Sequence, residues 1–220
     1  MDLTGKIVLV TGAGRGAGRA IAEAFAASGA KVAANDISPV NLEPVIEQIN
    51  AAGGQAKAFV DDIAKKVSVQ ALVNQIVDEW ERVDVLVNCA NVEPHFPLLE
   101  MDEWDWHRTL DVNLTGAFLL LQSVGRVMRE QGGGIIINIA PLAGREEMPD
   151  RAAYIASKIG LLGLARQSAR ELAPYNIKVH AVCTGLPELA TASELHEDIA
   201  AAVLALCNED NQTGQIVNIA

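Results

Sequence analysis

Residues 11–18 read Thr11-Gly12-Ala13-Gly14-Arg15-Gly16-Ala17-Gly18, set between a strand-like run, Lys6–Thr11, and a helix-like run, Arg19–Ala27. No other segment restricts the fold so tightly. Glycines at such a junction allow a sharp turn, let the backbone approach a pyrophosphate closely, and place that charge on a helix N-terminus. Asp36 closes the next strand-like run 18 residues after Gly18 (36 − 18), where a carboxylate can accept both hydrogen bonds of an adenosine ribose diol. A lone glycine cluster is usually only a turn, but strand, helix and acidic residue together are what dinucleotide binding requires. The carboxylate favours NAD over NADP, because a 2′-phosphate would meet its charge. Arg15 points the other way, as a guanidinium beside the loop could pair with that phosphate.

Runs rich in Val and Ile recur at Lys6–Thr11, Ala30–Asp36, Gln55–Val60, Val83–Asn88, Gly134–Ala140, Ile177–Val182 and Gln215–Ile219, separated by longer helix-like segments. Most are continuously apolar rather than alternating, as strands covered on both faces must be. The expected architecture is α/β of the Rossmann type: a three-layer sandwich with a seven-stranded parallel sheet and helices on both faces, in one domain spanning residues 1–220. Two helices stand out. One runs from about Asp102 to Glu130 and stops at Gly132-Gly133-Gly134; the other runs from about Arg151 to Ala173 and stops at Pro174. The second is apolar around much of its circumference (Ile155, Ile159, Leu162, Leu164), which suits either burial within the chain or a face against a second subunit.

Composition narrows the partners. A formal net charge of -11 without any compensating basic run repels nucleic acid phosphates and anionic lipid headgroups. The N-terminal residues carry no secretory pattern, and the apolar runs are too short to span a bilayer, so a cytoplasmic protein is expected. Cys89, Cys183 and Cys207 are odd in number and widely spaced in apolar surroundings, as buried free thiols would be. The four histidines, His95, His107, His180 and His196, lack metal-ligand spacing, and no metal is expected.

Tyr154-Ile155-Ala156-Ser157-Lys158 puts a phenol and an ammonium four residues apart, on one face of a helix. A neighbouring cation favours phenolate, so Tyr154 is expected to titrate below its ordinary value of about 10 and to act as acid or base. Taken with the glycine loop, the sequence resembles the short-chain dehydrogenase/reductase family over nearly its whole length, in the single-domain branch that includes 3-oxoacyl-carrier-protein reductases. Gly12, Gly16 and Gly18 look like the family's cofactor loop, with Arg15 and Ala17 between them. Asp62 and Ile63 look like its adenine contact, and Asn88-Cys89-Ala90-Asn91 like its Asn-Asn-Ala-Gly strand end. The resemblance implies that Tyr154 exchanges a proton with the substrate oxygen. It implies that Lys158 binds the nicotinamide ribose and lowers the tyrosine pKa, and that Asn113 holds a water in the proton relay. Asn88, Ala90 and Gly185 join the implied cofactor site.

Three departures from the family pattern bear on activity. Where the family keeps a serine that hydrogen-bonds the substrate oxygen, 13 residues before the tyrosine, this chain has Pro141 (154 − 141), with neither hydroxyl nor N–H. Losing one donor to a developing oxyanion costs on the order of 10² to 10³ in rate. Asn91 stands at the family's glycine and Cys89 at its second asparagine; asparagine tolerates positive φ, so the backbone path can persist, while Asn91 or nearby His95 offers a polar group beside the site. Finally, Cys183-Thr184-Gly185-Leu186-Pro187 runs almost directly into a helix around Leu195–Cys207, so the family's substrate-covering lid is nearly absent and an open, weakly selective pocket is expected. The sequence thus supports an NAD-dependent oxidoreductase acting slowly on a secondary alcohol or ketone, against the alternative of a non-catalytic NAD-binding sensor or subunit. The resemblance implies a homodimer or homotetramer through the two long helices.

Overall fold

The structure, a computed structural model, describes residues 2–141, 149–184, 192–207 and 211–219. Seven strands form one parallel sheet: β1 (Ile7–Thr11), β2 (Lys31–Asp36), β3 (Gln55–Val60), β4 (Val85–Asn88), β5 (Gly134–Pro141), β6 (Ile177–Thr184) and β7 (Ile216–Ile219). Their spatial order is β3-β2-β1-β4-β5-β6-β7. All seven expected strands are present, β3 with the expected bounds and the other six shifted by one or two residues at one end. The order reverses between β1 and β4. Ligands of open parallel sheets bind at such a reversal, beyond the carboxyl ends of the strands.

Successive side chains of a strand point to opposite faces, and the core divides accordingly. Val8 and Val10 of β1 pack with Ile21 and Phe25 of α1 (Gly16–Ala27), Val45 and Ile49 of α2 (Pro39–Ala51), and Ile199 and Val203 of the last helix (Ala192–Leu206). Ile7 and Leu9 face the other layer. There they meet Leu72 and Ile76 of α3 (Lys66–Trp80), Leu120 and Met128 of a helix spanning Ala117–Gln131, and Ala165 of a helix spanning Ala152–Leu172. Burying each such aliphatic side chain contributes about 1.5–3 kcal/mol, which explains the uninterrupted Val/Ile runs of the central strands. The edge strand β3 instead alternates, because one of its faces meets solvent.

The expected helix over 102–130 exists but is not uniform. It consists of α4 (Glu103–Leu110), a π-helical turn (Asp111–Gly116) and α5 (Ala117–Gln131) in direct succession, ending at Gly132 with φ +92°. Such π turns inside α-helices often mark functional positions. This one carries Asn113. α6 (Ala152–Leu172) and a 3₁₀ turn (Ala173–Tyr175) fill the second expected helix; Ile159 is 49% exposed, so α6 is not fully buried within the chain. Seven residues (191 − 184) lie between the end of β6 and α7 (Ala192–Leu206). Among the described residues no helix is long and apolar enough to cross a membrane.

His180 sits in the core on β6, 1% exposed, and neither ring nitrogen has a hydrogen-bond partner among the described residues. Burial, reinforced by the charge of Lys178, pushes its pKa from 6.5 down to about 4. The unfolded chain takes up this proton below about 6.5 while the folded chain does not, so stability drains away as pH falls from 6.5 towards 4. The contribution is at most about 3 kcal/mol at the acid end of that window. In a thermal-melt series, His180→Leu is expected to flatten the slope between pH 6.5 and 4. An unchanged slope would show that the ring is protonated inside the fold.

Candidate active site

The carboxyl ends of β1 and β4 are tied together by Thr11. Its hydroxyl accepts from the backbone N–H groups of Cys89 (3.1 Å) and Ala90 (3.2 Å) and donates to the Val87 carbonyl (3.4 Å). That hydroxyl fixes the position of the glycine loop relative to the Asn88–Asn91 segment, a role the motif alone did not reveal.

Two of the loop glycines have no room for a side chain. A Cβ on Gly12, which has φ +67°, would lie 2.7 Å from Ala90 Cα, and one on Gly18 would lie 2.7 Å from the carbonyl carbon of Gly12. The first turn of α1 is left open: Arg15 precedes it in an extended conformation without a side-chain cap, and no acidic residue occupies the turn. Its free N–H groups and dipole favour an anion. Asp36 closes the far end, where its carboxylate accepts from Gly14 N (3.1 Å) and Ser38 N (3.0 Å). These features fit the pyrophosphate and adenosine ribose of a dinucleotide. Asp62 pairs with Arg108 of α4 at 3.5 Å and with Lys65 at 3.7 Å, while Ile63 is buried against the π turn, its carbonyl beside Gly116.

Asn88, at the end of β4, donates to Asn138 Oδ1 (2.9 Å), and its own buried Oδ1 has no partner among the described residues. The described non-glycine residues with positive φ are Glu81, Asp150 and Asn176; Asn91 is not among them. The tolerance of asparagine for positive φ is therefore not drawn on: the backbone at Asn91 adopts an ordinary conformation and needs no glycine. The side chain is exposed.

The π turn brings Asn113 against both neighbours. Its amide donates to the Val92 carbonyl (2.9 Å) and to Ser157 Oγ (3.1 Å), while its oxygen accepts from Val92 N (2.8 Å). Ser157 in turn donates to the Tyr154 carbonyl at 2.6 Å. Asn113 thus clasps the segment after β4 to α6. That segment is further held by Phe96 N donating to the Asp150 carbonyl (2.9 Å) and by an ion pair between Glu93 and Arg151.

Tyr154 and Lys158 are buried side by side, with the Lys158 ammonium 5.7 Å from the centre of the phenol ring and 3.4 Å from the Ile139 carbonyl. The expected lowering of the Tyr154 pKa is not what this arrangement produces. Burial first, and then the Glu93 carboxylate, push the phenol well above its ordinary range, with Arg151 opposing in part. The same burial draws Lys158 down to about 8, against the pull of Cys89 and Glu93. Desolvation outweighs the helix-face pairing because both groups are largely withdrawn from water. Burial also holds the Cys89 thiol up, at about 11, so it is no nucleophile at neutral pH.

Pro141 ends β5 in register with Thr184 of β6, on the strand whose Ile139 carbonyl meets Lys158. Its side chain, the segment 142–148 and the segment 185–191, which holds Gly185 and the site of the expected lid, lie outside the described residues. Sequence reasoning did not pick out Glu93, Arg151 or Ser157, each of which contacts the site through residues distant in the chain.

Residues 6–200 match the family model described as short chain dehydrogenase. The chain is 39% identical over 180 residues to a D-threitol dehydrogenase of Mycolicibacterium smegmatis, covering 82% of this chain and 69% of that protein. It is 34% identical to a 3-oxoacyl-[acyl-carrier-protein] reductase of Thermotoga maritima, covering 100% of this chain and 98% of that one. The alignment runs over 240 positions, 20 more than this chain has (240 − 220). A crystal structure of a metagenomic short-chain oxidoreductase in complex with NADP superposes with a TM-score of 0.90 at 34% identity, covering 100% of this chain and 99% of that one. The chain belongs to the short-chain dehydrogenase family of oxidoreductases.

Proposed function

We propose that this protein is an NAD-dependent oxidoreductase that interconverts a small secondary alcohol and its ketone, working slowly for want of a serine donor. The observation that carries this reading is the burial of Tyr154 and Lys158 together, at the carboxyl edge of the sheet whose β1–β4 switch point holds the open glycine loop. A mere binding module has no use for a desolvated phenol and amine. When bound, the nicotinamide supplies or accepts the hydride. Gly12, Gly16 and Gly18, with Arg15 and Ala17, hold the pyrophosphate on the first turn of α1, and Asp36 takes the adenosine ribose. Asp62 and Ile63 flank the adenine. Asn88 and Ala90 border the nicotinamide, and Lys158 binds its ribose. Tyr154 gives its proton to the ketone oxygen, or removes it from the alcohol, while Asn113 anchors the segment after β4 to α6. Because backbone amides pin both Asp36 oxygens beside the loop, the carboxylate charge cannot swing away from a 2′-phosphate, which supports NAD over NADP. Exposed Trp104, Phe118 and Ile159 on α4, α5 and α6 support a homo-oligomer built on these helices.

One set of measurements tests this: fluorescence titrations with NADH and NADPH, and turnover across a ketone panel, for wild type and Pro141→Ser. NADH is expected to bind at least about tenfold more tightly than NADPH, the effect of one unfavourable charge pair. Restoring the hydroxyl is expected to raise turnover by on the order of 10². Binding with no turnover in either protein, on any ketone, would overturn the enzyme reading.

A further inference from the structure

In the proposed cofactor site, the glycine loop supplies only backbone N–H groups to an anion; Asp36 and Asn41 stand against it at Gly14, and His196 stands against it at Gly16. His196 lies in the first turns of α7, and its ring atoms Cε1 and Nε2 both stand 3.6 Å from the point where a Cβ on Gly16 would sit. The imidazole therefore roofs the first residue of α1, where φ is +55° and no side chain of the chain's own caps the helix.

This placement follows from the sequence. α1 and α7 each follow a parallel strand, so both start above the carboxyl edge of the sheet. They pack side by side through Ile21, Ala22 and Phe25 on one and Ile199, Ala200 and Val203 on the other. His196 precedes Ile199 and Ala200 by three and four residues and shares their face. It is therefore the residue that this packing stripe presents to the start of α1. Only seven residues separate β6 from α7 (191 − 184), so α7 starts directly at the loop.

We infer that His196 is a further cofactor-positioning residue, whose imidazole donates a hydrogen bond to the pyrophosphate cradled by the glycine loop. The inference rests on the dinucleotide reading of that loop. It adds to the site a side-chain donor from the opposite helix, which makes the pyrophosphate a bridge between α1 and α7. Neither Arg15, exposed beside the loop, nor Arg19, which is engaged with Glu23 (2.8 Å) and Gln48 (2.6 Å), takes that position.

The test is binding rather than turnover. Dissociation constants of NADH, ADP-ribose and adenosine are measured by titration for wild type, His196→Ala and His196→Gln, with thermal melts of each. Losing one hydrogen bond to a charged group is expected to weaken NADH and ADP-ribose, which carry the pyrophosphate, by roughly tenfold in His196→Ala. Adenosine, which lacks it, keeps its affinity. His196→Gln retains an N–H donor of similar reach and is expected to recover most of the loss. Equal affinity of wild type and His196→Ala for ADP-ribose would overturn the inference and leave the dinucleotide reading standing. Equal loss for adenosine, with a lowered melting temperature, would reassign His196 to α1–α7 packing. Failure of the wild type to bind NADH or ADP-ribose at all would overturn both.

Discussion

Gly18→Ala is expected to abolish dinucleotide binding and to lower the melting temperature at the same time. The added Cβ would lie 2.7 Å from the Gly12 carbonyl carbon and closer still to its oxygen, and both are backbone atoms that no rotamer change can move aside. Relief requires the first turn of α1 to lift away from the end of β1, which separates the N–H groups that face the pyrophosphate. Overpacking of this kind costs about 1–3 kcal/mol. In a chain of this size that lowers the melting temperature by about 2–10 °C. Because the displaced groups form the proposed anion site, NADH affinity should fall by more than about 100-fold, beyond what the stability change alone implies. Gly163→Ala is the control: nothing lies within 4 Å of its Cβ on α6, so NADH affinity and stability should be unchanged or slightly improved. NADH binding by Gly18→Ala within about twofold of wild type would show that the first turn of α1 does not carry the pyrophosphate.

Local, repeated signals were legible in the sequence. The central strands declared themselves because a strand buried on both faces must be apolar throughout, the edge strand β3 by its alternation, and α6 because Tyr154, Lys158 and their neighbours keep helical spacing up to Pro174. The glycine loop was legible because close backbone packing leaves only one residue type. The π turn at Asp111–Gly116 was hidden, since one extra residue in a helical turn barely disturbs an apolar period averaged over 29 residues (131 − 103 + 1). With it went the reason Asn113 reaches both Val92 and Ser157. The Tyr154 titration was misjudged for a different reason. Spacing along a helix reveals that Lys158 is near but says nothing of burial, nor of Glu93, 61 residues earlier in the chain (154 − 93). His196 carried no signal at all, because its significance lies in which helix α7 packs against.

Tyr154→Phe is expected to lower ketone reduction by on the order of 10³, the typical contribution of a positioned general acid, with NADH affinity unchanged. The ring stays, so the packing beside Lys158 survives; only the transferable proton is lost. The electrostatics also set a direction for pH. Burial holds Tyr154 as a neutral phenol, while Lys158 titrates at about 8. Below that pH the pair consists of a phenol that can give a proton and an ammonium that stabilises the phenolate left behind, which is the state reduction needs. Above it the ammonium is lost and the phenolate would form unassisted. For the wild type, kcat/KM for ketone reduction should therefore be level through neutral pH and fall as pH rises past about 8. Alcohol oxidation starts from the phenolate, which burial and Glu93 disfavour, so at neutral pH it should be the slower direction. Glu93→Gln removes the carboxylate that raises Tyr154 and is expected to speed oxidation at neutral pH relative to reduction. A Tyr154→Phe protein that reduced ketones at the wild-type rate would show that the proton comes from elsewhere, and would return the buried tyrosine and lysine to a purely structural role.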